Sequence, residues 1–210
     1  MPARATDAGT NRRATRSNDA TASPCILALD PGHKLGYAVD DPAAPNCCRN
    51  GVCQLPRTYP ETGRELRFAE TWLISMIEQF AVRVLIWEAP IPFGGKKGST
   101  TITNQHAIEF ALALGGVFDL VGAKLELVAC WKANMGTVRH HFTGNGRADK
   151  GMVHARALAV GYDVASYDAS DAVAIWDFAK HKYKAEGLVA GPLFADPLRS
   201  MRRQAPELEE

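Results

Sequence analysis

Two short apolar runs, each closed by an acidic residue and then a proline, most constrain how this 210-residue chain folds. Ile26-Leu27-Ala28-Leu29 ends at Asp30-Pro31-Gly32, and Val84-Leu85-Ile86-Trp87 ends at Glu88-Ala89-Pro90. A run of four apolar residues bounded by turn formers reads as a buried strand, and the proline after the second run stops it. Tyr37–Val39 and Gly51–Cys53 fit antiparallel partners of the first run, joined by a loop over 41–50. From Glu61 to Phe80 the residues Leu66, Phe68, Leu73, Ile74, Met76, Ile77 and Phe80 recur at helical spacing. A glycine-rich loop over 92–98 follows the second run. Beyond it the pattern predicts a helix over Thr101–Val121, a strand at Leu125–Val128, and helices at Met152–Val160 and Asp171–Lys182. This order predicts an α/β fold with a mixed five-stranded sheet flanked by helices.

The composition, 46% hydrophobic and 22% charged, suits one domain with its own core and excludes a wholly disordered chain. No apolar run approaches the ~20 residues that span a bilayer, which predicts a soluble protein without a membrane partner. The five cysteines are an odd number and no signal peptide precedes them, so a reducing cytoplasm is expected. Cys47, Cys48 and Cys53 lack the paired spacing of zinc ligands. Residues 1–23, rich in Ala, Thr and Arg, read as a flexible arm, 24–184 as the folded domain and 185–210 as an acidic-ended tail.

Four carboxylates stand in suggestive places. In open α/β sheets, groups at the carboxyl ends of strands face the ligand crevice, so Asp30 and Glu88 would converge there. Either acid alone is equally suited to capping a turn. Asp168 and Asp171 are three apart at a helix start, which puts both on one side of the helix, although Asp is also an ordinary cap there. Acids sharing a crevice repel one another unless a cation sits between them. Oxygen ligands suit Mg²⁺ or Mn²⁺, and two such ions can drive phosphodiester hydrolysis. His106, His140, His141 and His154 are scattered and read as surface residues or phosphate contacts.

The formal net charge of +1 averages opposed regions. Residues 83–156 carry nine basic against five acidic side chains. Lys96 and Lys97, in the glycine-rich loop beside Glu88, are candidate DNA contacts. Their loop is not a nucleotide P-loop, because the G-x-x-x-x-G-K-[ST] spacing is absent.

The segment Ile26–Gly32 followed by Gly36-Tyr37-Ala38-Val39 resembles the opening of the RuvC-type Holliday junction resolvases. Asp168-Ala169-Ser170-Asp171-Ala172-Val173-Ala174-Ile175 resembles that family's closing D-x-x-D-A-x-A-I helix, and Glu88 falls where the family carries its glutamate. Val138-Arg139 and Gly144-Asn145-Gly146-Arg147-Ala148-Asp149-Lys150 resemble its V-K and G-x-G-x-A-x-K segments, eleven residues separating the two basic positions. The resemblance covers about residues 25–182. The chain departs from the family in a shorter turn after Asp30, in Arg139 where lysine is typical, and in the 41–50 loop. These departures suggest a divergent, phage-type relative.

The resemblance implies an RNase H-like fold and a homodimeric endodeoxyribonuclease that cleaves branched DNA, the four-way junction above all. It implies Asp30, Glu88, Asp168 and Asp171 as ligands of two Mg²⁺ or Mn²⁺ ions and as catalytic residues, with Lys150 near the scissile phosphate. Phe93 would be the aromatic wedge of the family, though at a longer spacing from the glutamate, and Lys96, Lys97, Arg139, Arg147 and Lys150 would contact DNA. Three alternatives remain open. They are the same chemistry on flap, replication or packaging DNA, a non-catalytic junction-binding module, and an actin-like or sugar-kinase-like ATPase.

Overall fold

Alternation along the two apolar runs sorts their side chains onto opposite faces of a single sheet. The computed structural model describes residues 24–44, 46–57, 61–90 and 105–186. The strands are β1 (Ile26–Asp30), β2 (Lys34–Asp40), β3 (Cys48–Gln54), β4 (Val84–Glu88) and β5 (Ala129–Ala133). They lie in the order β3-β2-β1-β4-β5. β2 pairs antiparallel with β1 and β3, while β4 pairs parallel with β1 and β5. The helices are α1 (Thr62–Phe80), α2 (Gln105–Lys124), α3 (Met135–Thr143), α4 (Lys150–Ala159) and α5 (Tyr167–Glu186). The expected mixed five-stranded sheet with flanking helices is therefore what forms.

Successive residues of a strand point to opposite faces. Leu27, Leu29, Leu85 and Trp87 pack with Leu73 and Ile77 of α1 and with Phe110, Leu114 and Phe118 of α2. Ile26, Ala28, Val84 and Ile86 pack with Val138 of α3, Val153 of α4 and Val173 and Trp176 of α5. Full burial of such side chains stabilises by roughly 1.5–3 kcal/mol each, so a one-residue slip of either strand would be prohibitive. Asp30 and Glu88 continue the second set, and both therefore emerge on the α5 side.

Three elements differ from the sequence expectation. The last strand is Ala129–Ala133 and not Leu125–Val128, because α2 runs on to Lys124 and consumes that segment as its terminus. Leu125 N and Leu127 N donate to Val121 O and Gly122 O at 2.9 and 3.0 Å, with Glu126 at φ 51°. Helix α3 has no counterpart in the expected elements. Asn134 caps it by accepting from Thr137 N at 3.1 Å, and Gly144, at φ 79°, ends it in the left-handed conformation that glycine adopts readily. Helix α5 starts at Tyr167, four residues before the expected start, since Ser166 Oγ accepts from Ala169 N at 3.1 Å.

Among the described residues one helix, α2, is long and apolar enough by length and composition alone to cross a bilayer, with a mean hydropathy of 1.4 over His106–Lys124, although Glu109 and Asp119 interrupt its apolar run. Here Phe110, Leu114, Phe118 and Val121 bury one of its faces on the sheet. All five cysteines are free, and burial pushes the Cys48 thiol up to about 12.

Candidate active site

The site is assembled where two parallel strands end beneath the first turn of a helix. The β1–β4 register runs to Leu29 opposite Trp87, so Asp30 and Glu88 are the next residue on each strand. Their carboxyl groups share a hydrogen bond. Asp168 and Asp171 descend from the first turns of α5, where the helix dipole favours acids. Asp30 and Asp171 are buried, and Asp171 Oδ1 has no hydrogen-bond partner among the described residues.

This closeness depends on Gly36 of β2, the antiparallel partner of Asp30. A Cβ at Gly36 would overlap the Asp168 carbonyl, lying 2.7 Å from its carbon, and would press on Asp30 Cβ at 3.2 Å. A glycine inside a strand often marks close approach of another backbone; here that backbone is the start of α5.

Lys150 comes from α4, which packs on the same face of the sheet as α5. It is the first residue of α4, whose cap Asp149 accepts from Met152 N at 2.8 Å. Its Nζ lies 3.0 Å from Asp168 Oδ1, 3.2 Å from Asp171 Oδ2 and 3.8 Å from Asp30 Oδ2. Eighteen residues separate Lys150 from Asp168, so only the packing of α4 on α5 creates this contact.

The electrostatics follow from the crowding. Burial, and then the Glu88 charge, push the Asp30 carboxyl well above the usual carboxylate range, with Lys150 opposing. Burial also raises Glu88, against the Asp30 hydrogen bond and the Arg139 and Lys150 charges that hold it down. Asp171 is raised by burial against the pull of Lys150 and Arg139. For Lys150, burial acts downward, but the surrounding carboxylates outweigh it and leave the ammonium above its ordinary value.

Other sequence candidates divide into three groups. Arg139 of α3 borders the site: it is half-buried, its charge acts on Glu88 and Asp171, and its Nε has no partner among the described residues. Arg147 is exposed on the turn between α3 and α4. Phe93, Lys96 and Lys97 lie outside the described residues. The histidines correct an expectation, since two of the four are structural partners. His141 pairs with Asp177 at 2.9 Å and His154 bonds Ser170 at 2.7 Å, whereas His106 and His140 are exposed. Of the residues not picked out as site candidates, Gly36 and Ser170 matter most. The signals available for them were a glycine inside a strand and a lone polar residue in a buried helical stretch.

Among the described residues, no three His, Cys, Asp or Glu side chains stand as a ready ligand set, and the Lys150 ammonium lies among the acids. The donor chemistry nevertheless fits a hard divalent cation. It consists of carboxylate oxygens alone, one of them buried and without a partner among the described residues, with three carboxyl groups raised chiefly by burial and further by the neighbouring acids.

No protein-family model matches the chain, and no curated protein matches its sequence. Solved structures do match its fold. RuvC of Thermus thermophilus in complex with a Holliday junction substrate aligns with a TM-score of 0.58 at 16% identity, covering 79% of this chain and 97% of that one. A second Thermus thermophilus RuvC structure aligns with a TM-score of 0.54 at 15% identity, covering 78% and 96%. The fold is thus RNase H-like, as the sequence resemblance implied.

Proposed function

We propose that the chain is a metal-dependent endodeoxyribonuclease that nicks branched DNA, with the four-way junction as its preferred substrate. The observation that carries this reading is the convergence of Asp30, Glu88, Asp168 and Asp171 on one crevice, with Lys150 among them. The fold shared with a protein solved on a Holliday junction supports the choice of substrate.

Asp30, Glu88, Asp168 and Asp171 would hold two Mg²⁺ or Mn²⁺ ions. When bound, such ions activate a water and stabilise the leaving oxygen of a phosphodiester. Sheet and helix hold the four acids before substrate arrives, which limits reorganisation during the reaction. Lys150 and Arg139 bring positive charge to a crevice that must accept a phosphate, and each offers N–H donors to its oxygens. Phe93, Lys96, Lys97 and Arg147 would extend contacts along the DNA. The free cysteines fit a reducing cytoplasm.

A four-way junction presents two equivalent strands, so a twofold homodimer would match its symmetry. The exposed Leu112 and Leu120 of α2 are consistent with a second copy covering that helix. Light scattering should give about twice the 22.8 kDa chain mass; a monomer at concentrations that support paired nicking would refute the dimer.

The deciding assay uses the purified chain on labelled four-way junctions, flaps and linear duplex, with and without Mg²⁺ or Mn²⁺. Paired nicks across the junction, strictly dependent on metal, are expected. Equal cutting of linear duplex would remove the junction preference, and cutting without metal would remove the mechanism.

A further inference from the structure

We propose that His154 is a positioning residue for Lys150, donating from Nδ1 to the buried Ser170 hydroxyl and so pinning α4 to the first turns of α5. The inference rests on the reading of Lys150 and the four acids as the active site. It assigns a task to a pair of residues that the mechanism above leaves unused.

Ser170 lies between Asp168 and Asp171 and is fully buried. Its Oγ is 2.8 Å from Ser166 O and 2.7 Å from His154 Nδ1. A hydroxyl has one proton to give. Were it given to His154, the Oγ lone pairs would face the Ser166 carbonyl at 2.8 Å with nothing between them. The opposite arrangement removes that repulsion: Ser170 donates its hydroxyl proton to Ser166 O, which also accepts from Ser170 N at 3.1 Å, and its Oγ accepts from His154, whose ring carries hydrogen on Nδ1. The Tyr167 ring meets the imidazole edge-on at a centroid distance of 5.2 Å, which fixes its plane.

His154 follows Lys150 by four residues, one turn along the same face of α4. The two side chains therefore grip adjacent parts of α5, Lys150 at Asp168 and Asp171, His154 at Ser170 and Tyr167. The lysine has a long, freely rotating stem and its side chain is 49% exposed, so it cannot hold α4 in place unaided. The short, partly buried imidazole–hydroxyl bond, one residue beyond the core anchor Val153, adds a fixed point beside the ammonium that reaches the acids.

The test uses the full chain as wild type, His154→Ala and His154→Asn; the Asn side-chain amide can donate from near the position of Nδ1. A long-range ¹H–¹⁵N spectrum of the wild-type imidazoles should show hydrogen on His154 Nδ1, and an unprotonated Nδ1 overturns the proposal. The Lys150 ammonium resonance should shift or broaden in His154→Ala and return in His154→Asn. An unchanged signal in His154→Ala also overturns it. On a four-way junction with Mg²⁺, His154→Ala should lose about tenfold to a hundredfold in kcat, the cost of a small misplacement, with KM little changed. His154→Asn should recover most of the rate. Wild-type rates in a folded His154→Ala, or equal losses in both variants, would refute the positioning role. If the wild type cleaves no DNA, the nuclease reading fails, while the two spectroscopic readouts still judge the His154 contact.

Discussion

Asp171→Asn is expected to lower metal-dependent nicking by about 10³-fold or more, the scale on which removal of a single preorganised electrostatic group acts, while junction binding stays close to wild type. Asp171 is 1% exposed, holds Lys150 through Oδ2 at 3.2 Å and leaves Oδ1 without a partner among the described residues. Asparagine keeps the shape and removes the charge, so the loss should fall on the reaction and spare the fold. Asp30→Asn should be equally inactive, and melting without metal gives an independent check. The Asp30 pKa is raised in the folded state above its unfolded value. A carboxyl so shifted binds more protons folded than unfolded, and stability falls as pH rises from the unfolded pKa through the folded one. At neutral pH with metal chelated, Asp30→Asn should therefore unfold at a higher temperature than wild type, by the equivalent of about 1–3 kcal/mol for relief of a buried charge crowded by Glu88. Added Mg²⁺ should raise the wild-type midpoint and leave that of Asp30→Asn nearly unmoved. Mg²⁺-dependent nicking retained by purified Asp171→Asn would disprove the site assignment.

Gly36→Ala is the second large effect. The added methyl group would collide with the Asp168 carbonyl and crowd Asp30 Cβ, and neither neighbour is the free end of a flexible side chain. Either α5 lifts from the sheet or β2 bends, which costs about 1–3 kcal/mol by the usual scale of overpacking and displaces two of the four acids. Urea denaturation should show that loss, with nicking reduced well beyond what the unfolded fraction explains. Gly63→Ala is the control: its Cβ meets nothing within 4 Å in α1, so it should be neutral or stabilising by up to about 1 kcal/mol. A Gly36→Ala protein that melts and nicks like wild type would show that the α5–β2 approach is not needed.

Much of the candidate site was legible in one dimension. Both strands end at their acids, and the two-residue period places Asp30 and Glu88 on the same face as Ala28 and Ile86. The three-residue spacing of Asp168 and Asp171 likewise survives in α5, although the helix begins earlier than its apolar run suggested. The short helix α3 was missed although Met135, Val138 and Phe142 form its buried stripe, because nine residues give only three such positions and its start rests on the Asn134 cap. The β5 shift arose because Leu125 and Leu127 are apolar for a different reason: from the end of α2 they pack, partly buried, against the core between the sheet, α1 and α2.

The sequence by itself determined which residues could share a crevice, since strand and helix periods are local geometry and hold wherever the element lies. Only the tertiary structure decided what stands among them. Lys150 reaches Asp168 across eighteen residues, His154 meets Ser170 across sixteen, and Gly36 lets the backbone of α5 come down on β2. These contacts depend on how helices seat on the sheet, and that seating is set by side-chain volume and long-range packing, which no local period encodes.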